Sequence, residues 1–278
     1  MAKRICIITD STADLPAELA QTYGISVVPI YVRFGENVYR DGVDLSPGQF
    51  YEKLRDNSVI PSTSQPSPED FFKVFSEAVD NSSGIVSIHI SSKISGTYNS
   101  ALLAKNLLPR KFPIEVIDSR FNSAGLALAV LHAAKSAAED KDIQAIMKEV
   151  SKVTFEIKMF GMFSTTKYLA RSGRVNKAVA VAGSILNVKP LMTFHDGEVV
   201  RAGLVRTVPQ GINRILRFIE SRIPISELMI VHSEIPEQAD QLKTMASRYI
   251  PSDRIIVSQL GAALGVHGGP GVLLVAVR

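Results

Sequence analysis

The chain has 278 residues, 31 Lys and Arg against 27 Asp and Glu, a formal net charge of +4, one Cys, no Trp, 46% hydrophobic residues and only 7% aromatic ones. That mild charge, with no long block of like charges, gives no sign of a nucleic-acid protein, and the lone Cys6 excludes an intramolecular disulfide and any metal site built on paired cysteines. The apolar stretch after Lys3 and Arg4 is too short for a secretory signal and no stretch approaches the roughly 18 apolar residues of a membrane span, so a soluble cytoplasmic protein with an aliphatic interior is expected.

In chain order, short β-branched runs alternate with longer helical patterns, which points to βαβ units and a largely parallel sheet. Residues 4–9 read as a buried strand. Asp14 with Pro16 behind it marks a helix start, because Asp caps free N–H groups and Pro suits the first turn, and Gly24 closes that helix. Residues 26–34 read as a second strand that Pro29 would place at an edge or bulge. Ser46-Pro47-Gly48-Gln49 has the form of a capping box opening a helix to about Arg55, and Ser67-Pro68-Glu69-Asp70 repeats the device. The second of these helices carries Phe71, Phe72, Val74, Phe75 and Val79 close to an i, i+3, i+4 stripe. Strands at 85–90 and 114–117 and helices at 98–108 and 123–138 complete a doubly wound N-terminal half.

The second half changes style. Residues 155–163 read as a strand. Runs at 191–194 and 199–205 flank Asp196-Gly197 and read as a hairpin, since Asp-Gly accepts the positive φ of a tight antiparallel turn. Helical patterns at 211–220 and 235–249 and strands at 228–232, 255–260 and 272–277 follow. The expectation is an α/β protein of two lobes, 1–155 with a mainly parallel sheet and 156–278 with a mixed or antiparallel one. No Pro/Gly/Ser linker divides them, so they should pack tightly.

No nucleophile elbow, zinc-protease motif, dinucleotide fingerprint or Walker loop is present. What remains is a set of strand-to-helix junctions rich in hydroxyls and glycine, where open α/β sheets bind ligands. Asp10-Ser11-Thr12-Ala13-Asp14 reads first as turn and cap chemistry. In the run from Pro61 to Pro68, three prolines could hold the hydroxyls of Ser62, Thr63 and Ser64 in place on what otherwise reads as a surface loop. Ser91-Ser92-Lys93-Ile94-Ser95-Gly96-Thr97 joins a buried strand to a helix, with Gly96 allowing close approach to free N–H groups. Leu169-Ala170-Arg171-Ser172-Gly173-Arg174 breaks a helical pattern. Five glycines crowd 261–271 around His267, the one titratable side chain there. His89, inside an apolar strand, reads as a core residue, and His132, His195 and His232 as structural.

Taken together, Asp10-Ser11-Thr12-Ala13-Asp14, Thr63-Ser64-Gln65-Pro66, Ser91 to Ser100, Arg171-Ser172-Gly173-Arg174 and His267-Gly268-Gly269-Pro270-Gly271 resemble the DegV family of bacterial fatty-acid-binding proteins, in order and over nearly the whole chain. The family commonly has two glycines where this chain has Ser172-Gly173. The resemblance implies a lipid between two α/β lobes, with Thr63 and Ser95 on its carboxylate and Ser62, Gly96, Arg171 and His267 in the surrounding polar shell. It implies a palmitate-like long-chain fatty acid as ligand, no cofactor, no metal and no enzymatic activity. It also implies a fatty acid kinase as partner, which phosphorylates the presented carboxyl group; Arg174, Arg201 and Arg206 are candidate contacts for it.

Elementary energetics agree with such a ligand. About ten buried methylenes at about 0.8 kcal/mol each give a gross ~8 kcal/mol, which suits roughly micromolar binding before ordering costs. Two other readings compete: a Ser95/His267 acyl hydrolase or transferase, and a sugar- or phosphate-binding protein using the helix start at Ser95.

Overall fold

In a computed structural model of the chain, residues 4–56, 59–108, 112–173 and 188–278 are described. Four parallel strands, β1 (Ile5–Asp10), β2 (Ser26–Val28), β6 (Gly84–His89) and β7 (Ile114–Asp118), form a sheet in the order β2-β1-β6-β7. Its interior strands are buried on both faces, so they are near-continuous apolar runs rather than alternating ones. Chain order reverses between β1 and β6, so the loops leaving their C-terminal ends flank the crevice where ligands of such sheets sit.

The stretch expected as one strand over 26–34 is two. Pro29 cannot donate to a ladder, and the chain there leaves the parallel sheet to begin a second one. This is a three-stranded antiparallel sheet of β3 (Tyr31–Phe34), β4 (Asn37–Arg40) and β5 (Ser62–Ser64), ordered β4-β3-β5. The segment that reads as a surface loop is therefore strand β5, with Thr63 opposite Val32.

Six strands form the mixed second sheet: β8 (Lys158–Met162), β9 (Lys189–His195), β10 (Glu198–Val205), β11 (Leu228–His232), β12 (Ile255–Gln259) and β13 (Leu273–Val277), in the order β10-β9-β8-β13-β11-β12. Only β11 and β12 are parallel neighbours. The β9–β10 turn has positive φ at Asp196 and Gly197, as an Asp-Gly hairpin requires. The strand expected from residue 155 starts at Lys158 instead. Ile146, Val150 and Val153 form the buried stripe of a helix, α6 (Ile143–Glu156), that runs through those first positions.

Among the described residues the remaining α-helices are α1 (Ala17–Thr22), α2 (Pro47–Asp56), α3 (Pro68–Asn81), α4 (Thr97–Leu107), α5 (Ser123–Ala138), α7 (Lys167–Ser172), α8 (Val208–Glu220), α9 (Pro236–Ala246) and α10 (Ala262–Gly268). Both expected capping boxes form. Ser67 Oγ accepts from Asp70 N while Asp70 accepts from Ser67 N, and Ser46 and Gln49 exchange the same pair of bonds.

Helix α5 explains how the two sheets share one interior. It is Ala- and Leu-rich because it is enclosed on nearly every side, with β1 and β6 against one face and β8, β11 and β13 against another. One apolar cluster runs from Ile7, Val86 and Ile88 through α5 to Met229, Val231 and Leu274. At Gly125 a Cβ would lie 2.5 Å from Met159 Sδ, so only glycine lets α5 and β8 come this close.

Candidate functional site

A cavity of about 340 Å3 opens between the two sheets, within the range of small-molecule sites. Its apolar wall includes Ile90 and Ile94 from the first sheet's side and Met159, Phe163, Met192 and Phe194 from the second. Its polar wall collects residues from four separate segments: Thr63, Ser64 and Gln65 at β5, Ser95 and Gly96 before α4, Asn122 and Ser123 at the start of α5, and His267 in α10.

The sheet topology is what brings these together. Period-2 alternation along β5 half-buries Thr63 and leaves Ser62 exposed. Thr63 Oγ1 lies 2.9 Å from His267 Nε2. Ser95 Oγ, at the end of the β6 loop, accepts from Thr97 N at 3.3 Å and lies 2.8 Å from Thr97 Oγ1, which fixes its rotamer beside the first turn of α4. Gly96 is needed for a close approach: a Cβ there would lie 2.1 Å from Gln65 Oε1. The Gln65 amide crosses over Gly96 to donate to Ser100 Oγ at 3.1 Å, tying β5 to α4 across the polar wall.

Among the expected site residues, Thr63, Ser95, Gly96 and His267 all reach the cavity, whereas Ser62 is not part of its wall. Arg171 is exposed near the end of α7; it is Leu169, roughly 200° away around the helix, that lines the cavity. Arg201 on β10 and Arg206 just after it are exposed and outside the wall. Arg174 lies outside the described residues. The glycine-rich segment around His267 is not an open loop: α10 occupies it, and its Gly265 packs against Phe50, whose ring carbon a Cβ would meet at 2.5 Å.

Asp14 corrects the expectation that it caps the helix after β1. That helix begins at Ala17 with Pro16 before it, while Asp14 sits in the left-handed region at φ 49° with its side chain buried and bonded elsewhere. Its Oδ1 accepts from Gly261 N at 2.8 Å and its Oδ2 from Ser123 Oγ at 2.5 Å. Asp41 Oδ1 accepts from the next amide, Ala262 N, at 3.0 Å. Two carboxyl groups from distant segments thus cap α10. Burial raises the Asp14 pKa to about 8 and the Asp41 pKa to about 6, against the lowering effect of the bonds they accept. Asp10, fully buried behind them, accepts from His89 Nδ1 and Ile90 N, each at 3.0 Å, so His89 is a core histidine with Ser87 on its other nitrogen.

Gln65 stood inside a recognised motif without being singled out. Asn122, Ser123 and Asp41 carry no local signal, because what makes them part of the site is distant packing. Among the described residues no His/Cys/Asp/Glu group has metal-binding geometry, and no helix is long and apolar enough to cross a membrane.

Comparison with known proteins places this arrangement. The chain is 34% identical over 271 residues to a DegV domain-containing protein of Caldanaerobacter subterraneus subsp. tengcongensis, covering 96% of each. Its fold matches a solved DegV family protein from Thermus thermophilus, described for its fatty acid binding, with a TM-score of 0.90, 33% identity and 99% of each chain covered. It also matches a stearic-acid-binding protein from Eubacterium ventriosum with a TM-score of 0.89 and 26% identity, over 100% of this chain and 98% of that one. Residues 4–278 match the family described as "Uncharacterised protein, DegV family", and with a relative of this identity over nearly the full length, the chain belongs to the DegV family.

Proposed function

We propose that this protein is a non-enzymatic, cytoplasmic carrier that holds a long-chain fatty acid in the cavity between its two lobes, 1–155 and 156–278. The observation that carries this reading is one cavity whose wall combines the hydroxyls of Thr63 and Ser95 with apolar side chains such as Ile94, Met159, Phe163 and Leu274. A fatty acid needs both kinds of wall. The carboxylate takes hydrogen bonds from Thr63 and Ser95, with His267 and the Gly96 backbone beside it and Arg171 farther out. Neutral donors suit this task, because a fully buried ion pair has a desolvation cost that can cancel its attraction. Weak polar anchoring also leaves the carboxyl group accessible to a fatty acid kinase, which would convert it to an acyl phosphate. Arg174, Arg201 and Arg206 are the proposed contacts for that partner. The binding of fatty acids by relatives such as the Thermus thermophilus protein supports the ligand class.

Acyl hydrolysis by Ser95 and His267 draws no support from the geometry. Ser95 Oγ bonds to Thr97 and His267 Nε2 to Thr63, so the two are not paired with each other as nucleophile and base. The test is to denature the purified protein, extract it and identify its lipids by mass spectrometry. Free fatty acid in near-equal amount to protein is the expected result; an extract without it, or acyl-ester turnover abolished by Ser95→Ala, overturns the reading.

A further inference from the structure

The mechanism of holding a carboxylate by hydroxyls does not use the buried acidic groups beneath the cavity, and their placement calls for a role. Asp14 and Asp41 face the same point across Gly261: a Cβ there would lie 3.0 Å from Asp14 Oδ1 and 3.4 Å from the Asp41 carboxyl oxygens. Both are buried, and among the described residues neither forms an ion pair with a Lys or Arg. Asp10 adds a third carboxyl group from below, itself bonded by His89. Among the described residues the other ionisable group facing this pair is the buried Tyr51 hydroxyl, which donates to Leu260 O and in turn faces Glu234, itself paired with Arg55. The polar side chains facing it are those of Ser11 and Ser123.

These carboxyl groups hold two parts of the cavity wall. By accepting from Gly261 N and Ala262 N they fix the first turn of α10, the helix that carries Ala263, Leu264 and His267 into the cavity. By accepting from Ser123 Oγ, Asp14 also holds the start of α5, where Ser123 sits at φ 44°. A non-glycine residue persists in that region only when its surroundings hold it there, and here Asp14 and Ser123, both left-handed, brace each other.

We propose that Asp14 and Asp41 are positioning residues that set α10, and through it His267, against Thr63, and that tight retention of the ligand requires one of these two carboxyl groups to keep its proton. This rests on the carrier reading above. With one carboxyl group protonated, the pair meets across Gly261 without repulsion. With both ionised, two unscreened charges without a cation face each other at the base of α10. The wall then relaxes by shifting α10, which lengthens the Thr63–His267 contact and loosens the polar pole. Burial places the Asp14 loss of its proton at about 8, so the change falls in the mildly alkaline range.

The experiment times release of a fluorescent long-chain fatty acid from the full chain into excess albumin, from about pH 6 to about pH 9, for wild type, Asp14→Asn and Asp41→Asn. Asn keeps an acceptor for the α10 amides but cannot ionise. Wild-type release is expected to accelerate about tenfold across the range, equivalent to about 1.4 kcal/mol, while both variants stay nearly flat. Circular dichroism over the same range checks that the fold persists. Equal pH slopes in all three proteins overturn the proposal, and so does flat release from wild type, which needs no variant to interpret. Failure of wild type to take up the fatty acid at any pH overturns the carrier reading instead, and this inference with it.

Discussion

Thr63 Oγ1 and His267 Nε2 stand 2.9 Å apart although 204 residues separate them in the chain, and this contact joins the small antiparallel sheet to α10 at the polar end of the cavity. Thr63→Ala combined with Ser95→Ala removes both proposed donors to the ligand carboxylate. Each lost hydrogen bond to a charged group is worth roughly 1.5–3 kcal/mol, so fatty acid affinity should fall at least tenfold while the circular dichroism spectrum is unchanged. Unchanged affinity would mean that the head group lies elsewhere.

Gly96→Ala should weaken the ligand without unfolding the protein. The added methyl falls on the Gln65 amide, the movable end of a long side chain, so the chain yields and breaks its bond to Ser100. A several-fold loss of affinity with a near-normal urea midpoint is expected; a large drop in the midpoint would show that the approach matters to the fold rather than the site.

Gly265→Ala has the opposite signature. Here the methyl meets the Phe50 ring at 2.5 Å and the Tyr51 hydroxyl oxygen at 2.9 Å, both of them fully buried and packed edge to face. Overpacking of this kind costs about 1–3 kcal/mol, which urea denaturation of the variant would register directly.

Stability should decline as pH rises from about 4 to about 8. Asp14 and Asp41 keep their protons in the folded chain up to about 8 and about 6, whereas in the unfolded chain they lose them near the ordinary Asp value of ~3.9. The folded state therefore binds more protons across that window, and ΔG of unfolding falls with pH before levelling off. Glu227 works in the other direction. His132 and Lys135 beside it hold its pKa at about 2 despite burial, so its contribution is present above its ordinary value and disappears as pH falls toward 2. Urea midpoints at mildly acidic and mildly alkaline pH test this; a higher midpoint on the alkaline side would contradict it.

How much of this was legible in the sequence depended on the range of the interaction. The parallel strands were readable because burial on both faces writes itself as unbroken apolar runs, as in residues 85–90. Both capping boxes were readable because every bond they make lies within a few residues. The motif blocks also held Thr63, Ser95 and His267, which the fold brings to the wall of one cavity. Helix α6 was missed where Phe155 invited a strand, although that residue is exposed at 83% and the stripe of Ile146, Val150 and Val153 was present. Asp14 was misread because an Asp before a Pro has a perfectly good local explanation, and nothing nearby discloses that its carboxyl group caps a helix 247 positions later. Ser123 and Asp41 belong to the same class.

Helix α5 governs how the proposed cargo would get in and out. Among the described residues, the Ala- and Leu-lined flanks of α5 pack against both sheets, so parting the two sheets like a clam shell would expose the apolar cluster that runs from Ile7 to Leu274. Melting should accordingly appear as one calorimetric event rather than two. On the carrier reading, exchange of the proposed lipid is left to short excursions of the cavity's own walls, and its tempo is then a property of local fraying and not of swinging halves.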